Sequence, residues 1–168
     1  GTTQLVLLGA GFDTRALRLP EILEHGATVR ELDLAEQLET KRALLANAGV
    51  TLPAWLRHVA SDFDASDFDV ALLAALRDGG LEANAPVLYV WEGVIAYLGA
   101  AAVDRTLRFV ATTSAPGSRV VFDFAPIAFG DSPAAERTRR AGFSSFEETS
   151  FDALWRRYLP TAPHPNAA

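Results

Sequence analysis

Two short features near the start of the chain have residue types and a spacing suited to binding an adenosine group. Gly9-Ala10-Gly11 follows an apolar run, and glycine there permits a tight turn and lets a ligand approach the backbone closely. Asp33 comes 22 residues beyond Gly11, at the end of the second predicted strand, where a carboxylate can accept hydrogen bonds from both ribose hydroxyls. This chemistry serves NAD and S-adenosylmethionine equally, so the pair predicts an adenosine-containing ligand without naming the cofactor.

Each of these features also has a purely structural interpretation. The glycines fit an ordinary turn between a strand and a helix, and Thr14 stands where the full dinucleotide fingerprint has glycine or alanine. That departure disfavours a dehydrogenase. Asp33 is also suited to cap the helix that follows it, with Glu36 completing a capping box. The spacing between the glycine turn and Asp33 favours ligand binding over capping.

Acidic residues follow two further predicted strands. Asp62 is placed to accept a hydrogen bond from an adenine amino group, and Phe63 offers an aromatic face to the base. Glu92, followed by Gly93, comes directly after the apolar run 87–91, where a charge is costly without a partner. We expect Glu92 to point into a ligand crevice, near a sulfonium or amino group; the alternative is a bond to a backbone amide.

The sequence offers no clear general base and no metal site. Tyr97 is a weak candidate for a substrate pocket, and a tyrosine packed in the core is the stronger interpretation. His25, His58 and His164 are scattered, which favours structural or exposed positions. The aspartate-rich run 62–67 lacks the glycine and glutamate of a calcium loop, and the absence of cysteine excludes disulfides and thiolate metal ligands.

Apolar runs alternate with helical patterns along the chain. This alternation is typical of βαβ units and predicts an α/β fold with a mostly parallel sheet and helices on both faces. Because ligands bind outside the carboxyl ends of such strands, the acidic residues are expected to converge around one adenosyl group beside Gly9. The predicted strands are 4–8, 27–32, 57–60, 86–91, 118–124 and 143–151. The predicted helices are 14–25 (interrupted by Pro20), 35–48, 69–77, 100–114, 132–141 (Ser132 as cap, Pro133 first) and 152–158.

Composition narrows the class of protein. The chain has 168 residues, 49% of them hydrophobic and 21% charged, which predicts a single folded core over residues 1–158 and an irregular proline-rich tail over 159–168. The net charge of −6 argues against a nucleic-acid partner. No apolar run is long enough to span a membrane, no signal peptide is recognised, and a cytoplasmic location is expected.

Four segments of the chain resemble the leucine carboxyl methyltransferase family. Residues 7–15 (LLGAGFDTR) are similar to its Leu-Gly-Ala-Gly-x-Asp-Thr-Arg motif, and residues 91–98 (WEGVIAYL) are similar to its fourth-strand motif. Residues 31–34 (ELDL), followed by Lys41-Arg42, resemble its second-strand motif, and residues 115–118 (APGS) fit the turn before its fifth strand. The resemblance covers roughly residues 3–125 and is nearest to the bacterial branch of S-adenosylmethionine-dependent methyltransferases.

The resemblance implies a Rossmann-like class I methyltransferase fold and O-methylation of a carboxylate or hydroxyl on a small molecule, without a metal. In the family the position of Phe63 is usually leucine, and an upstream arginine holds the methionine carboxylate. This chain begins after that arginine, and its end lies before the family's closing strand, so we expect truncation at both ends. The alternatives are an NAD-dependent oxidoreductase and a non-catalytic cofactor-binding module. The implied cofactor contacts are Gly9, Ala10, Gly11, Asp13, Arg15, Asp33, Leu34, Asp62, Phe63, Glu92 and Gly93.

Overall fold

Five parallel β-strands form the centre of the fold in a computed structural model that describes residues 3–19, 26–124 and 133–162. Their spatial order is β3-β2-β1-β4-β5, so the order reverses between β1 and β4. Open α/β sheets bind ligands at such a reversal. The predicted Rossmann-like α/β sheet is confirmed. The strands are β1 (Gln4–Leu8), β2 (Thr28–Asp33), β3 (Leu56–Ala60), β4 (Val87–Trp91) and β5 (Arg119–Phe122).

Helices cover both faces of this sheet, as the sequence predicts. Successive side chains of β1 alternate between the faces: Val6 and Leu8 join a core with α3, α4 and α5, whereas Leu5 and Leu7 pack on the side that holds Ala16 of α1. All five residues of β1 are therefore buried, as in a central parallel strand. The helices are α1 (Arg15–Arg18), α2 (Ala35–Asn47), α3 (Phe68–Asp78), α4 (Ala100–Thr113), α5 (Ala134–Ala141) and α6 (Phe151–Tyr158), with a 3₁₀ turn over Ile95–Tyr97.

The first helix stops just before Pro20, where the sequence predicts an interruption. It stops at Arg18, and Leu19 takes an extended conformation with φ −93° and ψ 108°. Leu19 precedes Pro20, and a residue before proline is sterically driven out of the helical region. Residues 20–25, on which the rest of that prediction falls, lie outside the described residues.

The sixth strand predicted over residues 143–151 is wrong. Residues 144–150 form no strand, and α6 begins at Phe151. Phe143 closes the end of α5 instead, because its amide donates to the carbonyl of Thr138. At the other end of the segment, the Ser150 hydroxyl oxygen accepts a hydrogen bond from the Ala153 amide at 3.2 Å and starts the next helix.

The start of α5 also differs from the prediction. Pro133 precedes the first helical residue, with φ −56° and ψ 145°, and its carbonyl accepts hydrogen bonds from the amides of Glu136 and Arg137. An extended ψ of this kind is typical of a cap residue, so the placement of Pro133 as the first helical residue is wrong. Ser132, the predicted cap, lies outside the described residues.

In the part of the chain that the structure describes, no helix combines the length and the apolar character that crossing a membrane requires.

Candidate functional site

A cavity of about 160 Å³ opens where the order of the strands reverses, between the carboxyl ends of β1 and β4. One wall comes from the end of β1 and the glycine turn after it, and the other from the end of β4. The two walls meet beside Gly9, where a parallel sheet leaves a crevice for ligands. The lining residues are Leu7, Leu8, Gly9, Ala10, Asp13, Arg15, Val90 and Glu92.

The backbone conformation of the glycine turn (residues 9–11), a hydrogen bond and a close packing contact hold it in place. Gly9 and Gly11 have positive φ angles of +70° and +44°, which favour glycine because it lacks a Cβ atom. The turn is closed by the amide of Asp13, which donates to the carbonyl of Ala10 at 2.8 Å. A Cβ atom on Gly9 would lie only 2.3 Å from Cγ2 of Val94. Glycine is thus required here by the fold itself, before any ligand is considered.

Asp33 is joined to the glycine turn by its side chain. Its Oδ2 atom accepts a hydrogen bond from the Gly11 amide at 2.6 Å, and its Oδ1 atom accepts one from the Leu34 amide at 2.8 Å. A carboxylate offers about four acceptor positions, so about two remain for other donors. The capping interpretation is wrong, because α2 begins at Ala35 after Leu34 and has no side-chain cap; no box with Glu36 forms.

Glu92 lines the cavity and pairs with a side chain from the opposite wall. Its Oε2 atom accepts a hydrogen bond from Nη2 of Arg15, so its partner is not a backbone amide. Arg15 Nε also lies 2.5 Å from Oδ2 of Asp13. Partial burial lowers the pKa of Arg15, but its hydrogen bonds and attraction to Glu92 and Asp13 outweigh this and raise it overall. The cavity therefore carries an Asp–Arg–Glu network along one side.

Asp62 and Phe63 lie farther along the row of strand ends. Asp62 follows β3, is exposed, and accepts a hydrogen bond from the Asp64 amide at 2.9 Å. Phe63 is only 7% exposed, and its ring centroid lies 6.3 Å from that of Trp91 in the core. The structure brings Glu92 and the glycine turn into one cavity and places Asp33 beside that turn. Asp62 and Phe63 stand outside the cavity lining.

The loop after β4 departs from the sequence interpretation at Tyr97. Its side chain is 85% exposed, so the expectation of a tyrosine packed in the core is wrong. Tyr97 belongs to the 3₁₀ turn that follows Gly93. The Gly93 amide donates to Oδ1 of Asp123 at 2.8 Å, which ties this loop to the end of β5. Sequence reasoning missed Asp123, although an acidic residue flanked by Phe122 and Phe124 is a usable signal.

Sequence reasoning also missed a buried cluster of three titratable side chains. Glu31 in β2, Lys41 in α2 and His58 in β3 have side chains that are 0%, 2% and 3% exposed. Oε2 of Glu31 lies 2.6 Å from Nζ of Lys41 and 3.1 Å from Nε2 of His58. Burial lowers the pKa of His58 to about 4, and the charges of Lys41 and Arg42 add to this. Burial likewise raises the pKa of Glu31, and Lys41 offsets this only in part. The available signal was the pair of adjacent charged residues Arg30 and Glu31 in the middle of a predicted strand.

Comparisons with known proteins agree on one family. A family model described as leucine carboxyl methyltransferase matches residues 1–111. A protein of Mycolicibacterium paratuberculosis named "Putative S-adenosyl-L-methionine-dependent methyltransferase" is 40% identical over 147 residues, covering 83% of this chain and 42% of that protein. A protein of Mycobacterium sp. (strain JLS) with the same name is 38% identical, covering 84% of this chain and 47% of that protein. The chain spans less than half the length of these curated relatives.

Among solved structures, the chain is similar to "The structure of LepI complex with SAM", with a TM-score of 0.49 and 17% identity, covering 73% of this chain and 27% of that one. It is also similar to "Structure of the Mitomycin 7-O-methyltransferase MmcR", with a TM-score of 0.47 and 21% identity, covering 83% and 35%. The family assignment rests on the sequence comparisons and not on these structures. The match to the family model and the similarity to the mycobacterial relatives show that the chain belongs to the leucine carboxyl methyltransferase family.

Proposed function

We propose that this chain is the S-adenosylmethionine-binding core of a methyltransferase that methylates an oxygen, carboxylate or hydroxyl, of a small molecule. The observation that carries the proposal is the cavity between β1 and β4, which has the glycine turn on one wall and Glu92 on the other. An α/β sheet of this order binds nucleotide-like ligands at this place. Membership of the leucine carboxyl methyltransferase family and the names of the two mycobacterial relatives support the choice of cofactor.

The described residues fit such a cofactor in three parts. The cavity of about 160 Å³ is smaller than the roughly 300–1,000 Å³ of a complete ligand pocket, so it suits the methionine end alone. There Arg15 engages Oε2 of Glu92, which leaves Oε1 to face the cationic amino or sulfonium group. The remaining acceptor positions of Asp33 suit the ribose hydroxyls, and in this proposal the exposed Leu34 and Asp62 contact the adenine.

When bound, S-adenosylmethionine supplies a methyl group on a cationic sulfur, which leaves as a neutral sulfide on in-line attack by the acceptor oxygen. The task of the protein is to orient the two reactants and keep water away from them; well-oriented groups reach effective molarities of about 10⁵ to 10⁸ M. Glu92 and Asp33 hold the donor in this proposal. A carboxylate acceptor needs no general base, whereas a hydroxyl acceptor benefits from one. In this proposal Tyr97, exposed in the 3₁₀ turn after Gly93, is a candidate for contact with the acceptor.

Isothermal titration calorimetry of the chain with S-adenosylmethionine tests the binding step. We expect the wild-type chain to bind and Asp33→Ala to abolish measurable binding, because the ribose acceptor and the tie to Gly11 are both lost. Asp33→Asn separates the loss of the carboxylate from the loss of the tie to Gly11, since an amide oxygen still accepts a hydrogen bond from the Gly11 amide. Unchanged affinity in Asp33→Ala contradicts the assigned ribose role.

The competing cofactor is tested in the same way. NADH titration with detection of energy transfer from Trp55 or Trp91, together with thermal shift in the presence of each ligand, reports which one stabilises the native chain. Binding of NADH without binding of S-adenosylmethionine favours the oxidoreductase alternative. Binding of S-adenosylmethionine by the chain without methyl transfer to any acceptor favours a non-catalytic module.

The chemical class of the methyl acceptor is tested by identifying the methylated product. With this chain, radiolabelled methyl transfer to a panel of carboxylic acids, alcohols, phenols, amines, thiols and carbon acids identifies the nucleophile. A methyl ester is released by mild alkali and a methyl ether is not. Label on nitrogen, sulfur or carbon acceptors alone overturns the O-methylation proposal.

A further inference from the structure

The buried cluster of Glu31, Lys41 and His58 is the feature of the described fold that the proposed chemistry does not use. Lysine is rarely buried to the extent of Lys41, at 2% exposure, unless its ammonium is paired. The pairing here is close, with Nζ 2.6 Å from Oε2 of the fully buried Glu31. Burying both charges costs desolvation free energy that a hydrophobic pair would avoid. Fold stability is therefore a weak explanation for this pair, and a geometric role is the stronger one.

The second contact of Lys41 supplies that role. Its Nζ donates a hydrogen bond at 2.5 Å to the main-chain oxygen of Asp13, which lies 28 residues earlier in the chain. An ammonium has three donors, and two are thus used, one on the carboxylate and one on the carbonyl. Hydrogen bonds from charged donors are roughly twice as strong as neutral ones. The bond joins α2 to the segment that follows the glycine turn.

Asp13 is the residue through which this contact reaches the cavity. Its amide closes the glycine turn by donating to Ala10, and its carboxylate accepts hydrogen bonds from the amide and side chain of Arg15. Arg15 in turn pairs with Glu92 on the opposite wall. A shift of the Asp13 main chain would therefore move the turn, the arginine and the cavity wall together. Lys41 itself does not line the cavity.

We propose that Lys41 is a positioning residue for the cofactor, whose buried ammonium fixes the Asp13 carbonyl and so the glycine turn, with Glu31 as its counter-charge. The expected effect of Lys41 on cofactor affinity rests on the proposed function. Its effect on the glycine turn does not, because that effect can be measured in the chain without cofactor. Lys41 and Asp33 hold the same segment from the β2 side at two points, Asp13 and Gly11. Loss of either tie leaves the turn free to sample conformations that do not bind the cofactor.

The test compares two variants that differ only at Lys41. Glu31→Gln retains an acceptor for Lys41 and the bond to Asp13, whereas Glu31→Gln combined with Lys41→Met removes the ammonium without leaving a buried carboxylate. Native-state hydrogen exchange is measured on the free chain, at the amides of Asp13 and Arg15 and at the amides of β1 and β4. We expect exchange of the Asp13 and Arg15 amides to rise about tenfold in the double variant, relative to Glu31→Gln, with the strand amides unchanged.

Calorimetry with S-adenosylmethionine gives the second readout, for which we expect about tenfold weaker affinity in the double variant than in Glu31→Gln. Arg42→Met, on the exposed side of the same helix, is the control and should change neither measurement. Equal exchange of the Asp13 and Arg15 amides in both Glu31 variants overturns the inference. A rise of the same size at these amides and at the strand amides also overturns it. If the wild-type chain binds no cofactor, the proposed function fails, and hydrogen exchange still decides the role of Lys41.

Discussion

Gly9 and Val94 approach each other so closely that a Cβ atom on Gly9 would lie 2.3 Å from Cγ2 of Val94, although they follow different strands. Gly9→Ala should therefore destabilise the chain by about 3 kcal/mol, from the strain of an alanine at φ +70° and from overpacking against Val94. Chemical denaturation measures the loss. The variant should also widen or distort the cavity, because Gly9 lies in its wall.

Gly93 provides a matched control for that variant. It has φ +71°, almost the same as Gly9, but no atom lies within 4 Å of an added Cβ. Gly93→Ala should cost only the conformational strain, about 1 kcal/mol. Adding Val94→Ala to Gly9→Ala should recover part of the excess loss. Equal destabilisation by the two glycine variants would contradict a steric role for Val94.

Phe63 should matter to stability and not to cofactor affinity. Its ring packs against Trp91 and against Phe68, at a centroid distance of 5.3 Å from the latter. Phe63→Leu should cost about 1 kcal/mol and Phe63→Ala about 3–5 kcal/mol in denaturant unfolding. Calorimetry on Phe63→Leu should give an affinity for S-adenosylmethionine within about twofold of wild type. Phe68→Leu, in the same core, is the matched control; selective loss of affinity in the Phe63 variant would place its ring against the base.

Glu92→Gln should weaken binding of S-adenosylmethionine about tenfold, because the cationic end of the ligand loses a partner charge in a partly enclosed cavity. Comparison with S-adenosylhomocysteine, which lacks the sulfonium charge, identifies the group that Glu92 faces. A loss confined to S-adenosylmethionine indicates the sulfonium, and an equal loss for both ligands indicates the amino group. Glu39→Gln, exposed on α2, is the control. No loss for either ligand removes Glu92 from the site.

His58 should make the fold less stable in mild acid. Its pKa is about 4 in the folded chain and near 6.5 in the unfolded chain, so only the unfolded chain gains the proton between these values. Stability contributed in this way is present at pH 7, falls as the pH drops through 6.5, and reaches its lower limit near pH 4. The loss between pH 7 and pH 5 should be about 1 kcal/mol after allowance for solvent screening.

The contribution of His58 is isolated by comparing wild type with His58→Gln at both pH values. The raised pKa of Glu31 acts in the opposite direction, since the folded chain then holds that proton more readily, but it is present in both proteins. On acidification from pH 7 to pH 5, the free energy of unfolding should therefore fall more in wild type than in His58→Gln. A difference independent of pH would show that His58 does not remain uncharged in the folded chain.

The architecture was predictable because its signals are local. Strand and helix periods predicted the five strands within two residues at each end, and the αL glycines and the strand-end acids predicted where a ligand site should lie. The errors have local causes as well. A run with aromatic residues at 143, 146 and 151 resembles a strand, but Ser150 starts a helix there.

By itself, the sequence determined the α/β class, the glycine turn and the position of Asp33, since each depends on neighbours in the chain. Only the tertiary structure decided that Arg15 meets Glu92, that Val94 excludes a side chain at Gly9, and that Lys41 reaches Asp13. The physical reason is the strand order: β4 lies beside β1, and α2 covers the β2 side. Contacts between elements that are neighbours in the sheet join residues far apart in sequence. No local sequence pattern predicts which of these residues become neighbours.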